Sequence, residues 1–274
     1  MLTQEFDPGP VAEPFKALAT TFPGDATDEY PQADFRTEWG PIFHRGRLDG
    51  SARILAIGQD PGQHENVIRR ILSGEAGRRV QGFFKKIGVT RSYVLINALL
   101  YSVYGSHGSK YVAKPKIRDY RNAWIDAILA PGKVQAVITF GGMAKTAWDE
   151  YVKVKGAPAG VKVANLTHPT FPESAGGTKT EKAANTKKML QEWNVEGFQS
   201  FFGSVTTDVP TPTFVPYGDA FVDSDRVDIP SFDLPEGIPG WMFDNDGWAR
   251  RVGETPPEKR ANITITVPKG VIPA

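Results

Sequence analysis

The stretch Arg53–Gln63, RILAIGQDPGQ, decides the fold. Ile54, Leu55, Ala56 and Ile57 form a short apolar run of the kind a strand buried on both faces requires. The run stops at Gly58-Gln59-Asp60-Pro61-Gly62. Pro61 has no backbone N–H and Gly62 is free to take positive φ, so the strand ends and the chain turns. Gln59 and Asp60 then sit at the carboxyl end of a parallel strand, where open α/β sheets place their ligands. A carboxylate on such a turn, next to exposed backbone amides, has two readings. It is a catalytic base, or it caps the next helix.

Working outward, Asp49-Gly50 is a turn signal leading into this strand. Residues 31–50 mix aromatics with turn formers and are expected to cover one edge of the core. Residues 1–30 read as a surface arm with one short helix around Phe15–Ala19. Downstream, a loop carrying His64 and Arg69-Arg70 leads to a helix over about Glu75–Ile87. Ala76, Val80, Phe83, Phe84 and Ile87 share one face of it, and Gly88 is its C-cap. The alternation continues with a strand at Tyr93–Leu99, a helix at Lys116–Ala130 stopped by Pro131-Gly132, and a strand at Val134–Phe140. A helix at Met143–Tyr151, a strand at Val161–Leu166 and a helix at Thr180–Trp193 complete it. Strands alternating with helices imply a three-layer αβα fold around a four-stranded parallel sheet. Residues 201–274 hold 10 of the 22 prolines and show no helical period. They read as an irregular wrap packed on the core through Trp241, Phe243 and Trp248. The organisation is thus an arm and edge cover (1–50), an α/β core (51–195) and a Pro/Asp-rich extension (196–274).

Composition narrows the chemistry. There are no cysteines, which excludes disulfides, thiolate zinc sites and cysteine-ligated iron–sulfur clusters. The start, MLTQEFDPGPVAEP, lacks a basic-then-apolar leader, and no apolar run approaches the ~18–20 residues of a membrane helix. A soluble, cytoplasmic protein with no membrane partner is expected. The net charge of +1 hides a division. Residues 1–50 carry 4 Lys/Arg against 9 Asp/Glu, residues 51–200 carry 22 against 11, and residues 201–274 carry 6 against 11. A basic middle points to a polyanionic partner, unless the acidic ends fold over and neutralise it.

Three polar signals fall at the carboxyl ends of three parallel strands: Gln59-Asp60, Asn97 and His168. Gly58-Gln59-Asp60-Pro61-Gly62, Asn97 within YVLINALL, and His168-Pro169-Thr170 resemble the three signatures of the uracil-DNA glycosylase superfamily. The similarity covers about Phe35–Trp193, and GEAGRRVQGFFKKIGV resembles the helix after the first motif in iron–sulfur-bearing members. The resemblance implies hydrolysis of the N-glycosidic bond of uracil flipped out of DNA, in base-excision repair. It implies no cofactor, a monomer, and single- or double-stranded uracil-containing DNA as the partner.

Residue by residue, Asp60 matches the aspartate that polarises the attacking water and stabilises cationic charge on the sugar. Gly58, Gln59 and Gly62 belong to the same base-holding turn, with the Gln59 amide facing uracil O2. Asn97 offers the acceptor and donors that pair with uracil N3–H and O4. His168 donates to O2 as charge accumulates on the leaving base. Pro169, Thr170 and Phe171 fall in the duplex-penetrating loop, with Phe171 either the apolar wedge or packed inward between Pro169 and Pro172. Arg70 is the foremost phosphate contact, with Arg69, Arg78, Arg79, Lys110, Lys114 and Lys116 near the same edge.

The sequence also departs from the pattern. Gly62 stands where the prototype has a thymine-blocking tyrosine, which leaves two readings: another group excludes thymine, or the pocket is less strict and accepts other deaminated or damaged bases. Leu72 stands where the iron–sulfur branch stacks an aromatic on the base, so either Phe83 or Phe84 substitutes, unless both are core, or the base rests on aliphatic surface. The alternatives are a non-catalytic member that binds uracil or abasic DNA, and a small-molecule hydrolase. The latter lacks any G-x-S-x-G or cysteine nucleophile.

Overall fold

The computed structural model describes residues 5–22, 29–105, 107–210, 212–243, 246–255, 258 and 262–271. Parts of the expected arm (1–4 and 23–28) and of the extension lie outside them. The strands are β1 (Phe35–Arg36), β2 (Arg45–Gly46), β3 (Ile54–Gly58), β4 (Tyr93–Asn97), β5 (Ser102–Val103), β6 (Ala136–Phe140), β7 (Lys162–Leu166), β8 (Ala249–Arg250) and β9 (Thr264–Ile265). The α-helices are α1 (Phe15–Thr20), α2 (Gln63–Ile68), α3 (Glu75–Lys86), α4 (Ser109–Val112), α5 (Pro115–Leu129), α6 (Gly142–Lys155), α7 (Phe171–Ser174), α8 (Lys179–Glu192) and α9 (Gln199–Phe201).

The central sheet has the order β2-β4-β3-β6-β7. Its four expected strands, β4, β3, β6 and β7, are parallel. The fifth, β2, is a correction to the four-strand reading. Arg45 pairs Leu95 and Gly46 pairs Val94, antiparallel, from within the segment expected to cover an edge. A two-residue strand has no alternation to read. Gly46 is required there, at φ 97°, because a Cβ would fall 2.4 Å from the Tyr93 carbonyl oxygen.

Successive β3 residues feed opposite faces, as the period of a strand demands. Leu55 and Ile57 join Val94, Ile96, Trp124 and Trp148 on one side. Ile54 and Ala56 join Val80, Phe83, Phe84 and Trp193 on the other. Phe83 and Phe84 are therefore core. The segment after Gly62, expected to be a loop, forms the short helix α2 before Arg69 turns left-handed at φ 64°.

The extension wraps the core. Ile229, Leu234, Trp248 and Ala249 pack with Ile68 in a third apolar cluster. Gly82 of α3 admits the extension's backbone, since a Cβ there would lie 1.9 Å from the Asp225 carbonyl oxygen. Carboxylates of the acidic ends also meet basic residues of the core and its edge. Asp233 pairs with Arg45 and Arg47, Asp208 with Arg53, Asp225 with Lys86, and Asp7 with Arg70. Much of the charge contrast in the sequence is spent inside the molecule. Among the described residues, no helix is long and apolar enough to cross a membrane.

Candidate active site

β3 and β4 run in register to their ends, so Gly58 faces Asn97 across the ladder. The ladder continues past the strands, with Ala98 N–H donating to Gly58 O and Leu99 N–H to Gln59 O, each at 2.9 Å. A Cβ at residue 58 would lie 2.3 Å from Asn97 Oδ1 and 3.6 Å from Leu72 Cδ1. Only glycine lets these two side chains flank the turn. Asn97 is 3% exposed and its Oδ1 has no hydrogen-bond partner. A buried acceptor left unpaired is costly and calls for an explanation.

The Gln59 side chain has its own task. Its Oε1 accepts from Met143 N–H at 3.3 Å, bracing the turn against the start of α6. Asp60 Oδ2 accepts the Val103 N–H at 3.0 Å. Burial pushes the Asp60 carboxyl up to about 6, with the Glu65 carboxylate adding to the rise and Val103 N–H and Arg251 opposing it. At pH 7 it is ionised, though narrowly.

Gly62 corrects a sequence expectation. Its φ is −84°, so left-handed freedom is not what the turn uses. Space is: a Cβ would lie 2.6 Å from Glu65 Oε2. Glu65 is buried, and its Oε1 accepts from Ser73 N–H at 2.9 Å, holding the loop that carries Leu72. The room vacated by a side chain at residue 62 is therefore walled by a carboxylate.

His168 follows β7. Its Nδ1 lies 3.4 Å from Thr170 N and 3.2 Å from Thr170 Oγ1. The backbone N–H can only donate, so Nδ1 accepts and the neutral ring carries its proton on Nε2. Burial and the nearby Arg79 charge push the imidazolium down to about 4, so the ring is neutral at pH 7. Arg79 also clamps the loop. It donates to Pro169 O at 2.7 Å and pairs with Glu173 at 2.7 Å and Glu75 at 2.8 Å.

Asp60, Gly62, Glu65, Leu72, His168 and Arg251 line one cleft of about 690 Å³. An adjoining pocket of about 480 Å³ shares Gln59, His168 and Ser174 and adds Phe171, Asn185 and Lys188. Phe171 is 43% exposed and does not pack inward. Pro169 is buried and Thr170 half-buried beside it.

Several basic residues turn inward. Arg70, expected at phosphate, is 9% exposed and donates from Nε to Asp7 Oδ2 at 2.6 Å. Arg69 donates to Pro41 O at 2.7 Å, and Arg79 is the loop clamp just described. Arg78, Lys110 and Lys116 pair with Asp228, Asp34 and Glu29. Lys114 lies over the Tyr111 ring. Burial and fixed partners outweigh the sequence signal of clustered charge. Three residues of the cleft and its adjoining pocket escaped the sequence reading. Glu65 and Lys188 carried no motif, and Arg251 lies in a segment without periodicity. Among the described residues, no group of three or more His, Asp or Glu side chains is placed to hold a metal ion.

An open, mostly parallel sheet with a polar cleft at its carboxyl edge defines a ligand-binding α/β protein. The chain belongs to the uracil DNA glycosylase superfamily, whose family model matches residues 45–194. No curated protein matches the sequence.

Proposed function

We propose that the protein hydrolyses the N-glycosidic bond of uracil in DNA, as a monofunctional glycosylase of base-excision repair. The observation that carries this reading is the convergence of three groups at the sheet edge. The Asp60 carboxylate and the His168 imidazole line one cleft, and the buried, unpartnered Asn97 Oδ1 lies beside Gly58, two residues before Asp60.

A uracil extruded into the cleft supplies the missing donor, its N3–H, to Asn97 Oδ1. Leu72 presents an aliphatic surface where an aromatic ring would otherwise stack. As the C1′–N1 bond lengthens, positive charge develops on the sugar and the bonding pair moves onto the base. The Asp60 carboxylate stabilises the cation and takes a proton from the water that attacks C1′. The Nε2–H of neutral His168 hydrogen-bonds uracil O2 and disperses the negative charge. The products are free uracil and an abasic strand. Phe171, exposed on the loop after His168, fills the vacated space in the stack, and Lys188 beside it meets the phosphate backbone.

The test is base release from oligonucleotides carrying U:G, U:A and single-stranded uracil, with other deaminated bases as a panel. Free uracil from wild type, with most of that release lost in Asp60→Asn, supports the reading. Tight binding to uracil or abasic DNA without base release replaces it with a non-catalytic binder. Cleavage of uracil alone in the panel sinks the expectation of a wider pocket.

A further inference from the structure

The family match ends at residue 194, yet the cleft wall does not. Arg251, in the C-terminal extension, lines the cleft together with Asp60. The segment that delivers it is firmly seated. Trp248 and Ala249 are 2% and 0% exposed, and Trp248 Nε1 donates to Met242 O at 2.7 Å. Gln63 Nε2 donates to Ala249 O at 2.7 Å, and the His64 ring meets Trp248 edge-on with centroids 5.0 Å apart. Both contacts come from α2, the helix that begins directly after the catalytic turn.

From there the side chain reaches back to the turn itself. Arg251 Nη2 donates to Ser102 Oγ at 2.8 Å, and Ser102 Oγ donates to Pro61 O at 2.5 Å. Pro61 is the residue after Asp60. Arg251 Nε is buried without a partner, and the neighbouring Arg36 adds like charge. A cation held in so unfavourable a place needs a compensating anion. Asp60 and Glu65 are the carboxylates that favour it.

We propose that Arg251 is a positioning residue that completes the active site from outside the family core: it ties the catalytic turn through Ser102 and is the cation that shares the cleft with the Asp60 carboxylate. Six other groups bear on Asp60 or share its cleft. Glu65 on α2 opposes ionisation, and the Val103 N–H after β5 favours it. Neutral His168 faces the cleft from the loop after β7. Glu75 and Glu173 also line the cleft, both paired with Arg79. His64 lines the cleft next to Glu65. Among these, Arg251 is the cation whose charge lowers the Asp60 pKa.

The proposal rests on Asp60 being the base, and its test separates the two. In the full-length protein, the Asp60 carboxyl is titrated by carbon-13 NMR in wild type, Arg251→Gln and Arg251→Lys. Gln removes the charge while retaining a donor for Ser102 Oγ. Asp60 is expected to titrate about one pH unit higher in Arg251→Gln and near wild type in Arg251→Lys. Base release from a uracil oligonucleotide should follow, with the acidic limb moved up by the same amount and the rate recovering at high pH. Should Arg251→Gln fail to fold, Arg251→Lys and Arg251→Met carry the same comparison. An unmoved Asp60 titration overturns the proposal. So does a loss equal at every pH with a changed salt dependence, which marks a phosphate contact instead. A wild type that releases no base defeats the glycosylase reading and leaves the titration to decide the role of Arg251.

Discussion

The two strand ends that carry Asp60 and His168 are supported in opposite ways. β3 lies inside the sheet, bonded to β4 and β6, and all five of its residues are buried. β7 is the edge strand, with Lys162, Val163 and Asn165 exposed. Asp60 thus stands on a backbone ladder held from both sides. His168 stands on a loop held by side chains: Arg79 on Pro169, Glu192 on Thr167, and Trp193 Nε1 on the Thr167 carbonyl at 3.0 Å. The difference separates two duties. In the proposed reaction the base stands on the strand that is hydrogen-bonded on both sides. The loop proposed to meet DNA follows the edge strand, with the Phe171 ring exposed on it. In both places the cleft disfavours charge, since burial raises the Asp60 pKa and lowers that of His168.

Mutations that strike the central strand end should outweigh those at the edge. Asp60→Asn is expected to cost about 10²–10⁴-fold in base release while DNA binding persists. The same change should raise the melting temperature. The folded carboxyl holds its proton more tightly than the unfolded chain, so ionisation destabilises the fold. That cost is absent below the unfolded pKa near 3.8 and fully present above about 6. It amounts to roughly 2–3 kcal/mol at pH 7, which asparagine removes. For wild type, base release should climb as pH rises through about 6, with no second limb from His168 near neutrality. A rate flat from pH 5 to 8 would separate Asp60 from the chemistry.

At the edge, His168→Ala should slow base release about 10²-fold, less than Asp60→Asn, when single-turnover rates are compared. Arg79→Met leaves Glu173 and the Pro169 carbonyl without their cation. A stability loss of roughly 2–4 kcal/mol by denaturant titration is expected, with base release reduced mainly because the loop shifts. Phe171→Ala should have the smallest effect, about a few-fold on duplex and near zero on single-stranded uracil, because only a duplex must be opened. Equal losses on both substrates would place Phe171 in the base pocket instead of the stack.

Much of this was legible from local pattern. The apolar run Ile54–Ile57, the amphipathic spacing of α3 and the breaker pairs gave the layers and the parallel strands. The family signatures gave Asp60, Asn97 and His168. What misled was residue type read without its neighbours. Arg70 reads as a phosphate contact until Asp7, from an arm over sixty residues away, is seen on its guanidinium. Gly62 reads as a turn former, whereas the structure uses its missing Cβ to make room for Glu65.

The sequence by itself determined the alternation of strands and helices, and with it the edge at which Asp60 and His168 meet, because period and chain breakers are local properties. Tertiary structure alone decided the electrical state of that edge. Burial and the placement of Glu65, Arg79 and Arg251 depend on segments far apart in the chain, and Coulomb interactions follow distance in space. The stretch around Asp60 supplies a carboxylate; the packing of helix, loop and C-terminal extension around it sets how readily that carboxylate gives up its proton.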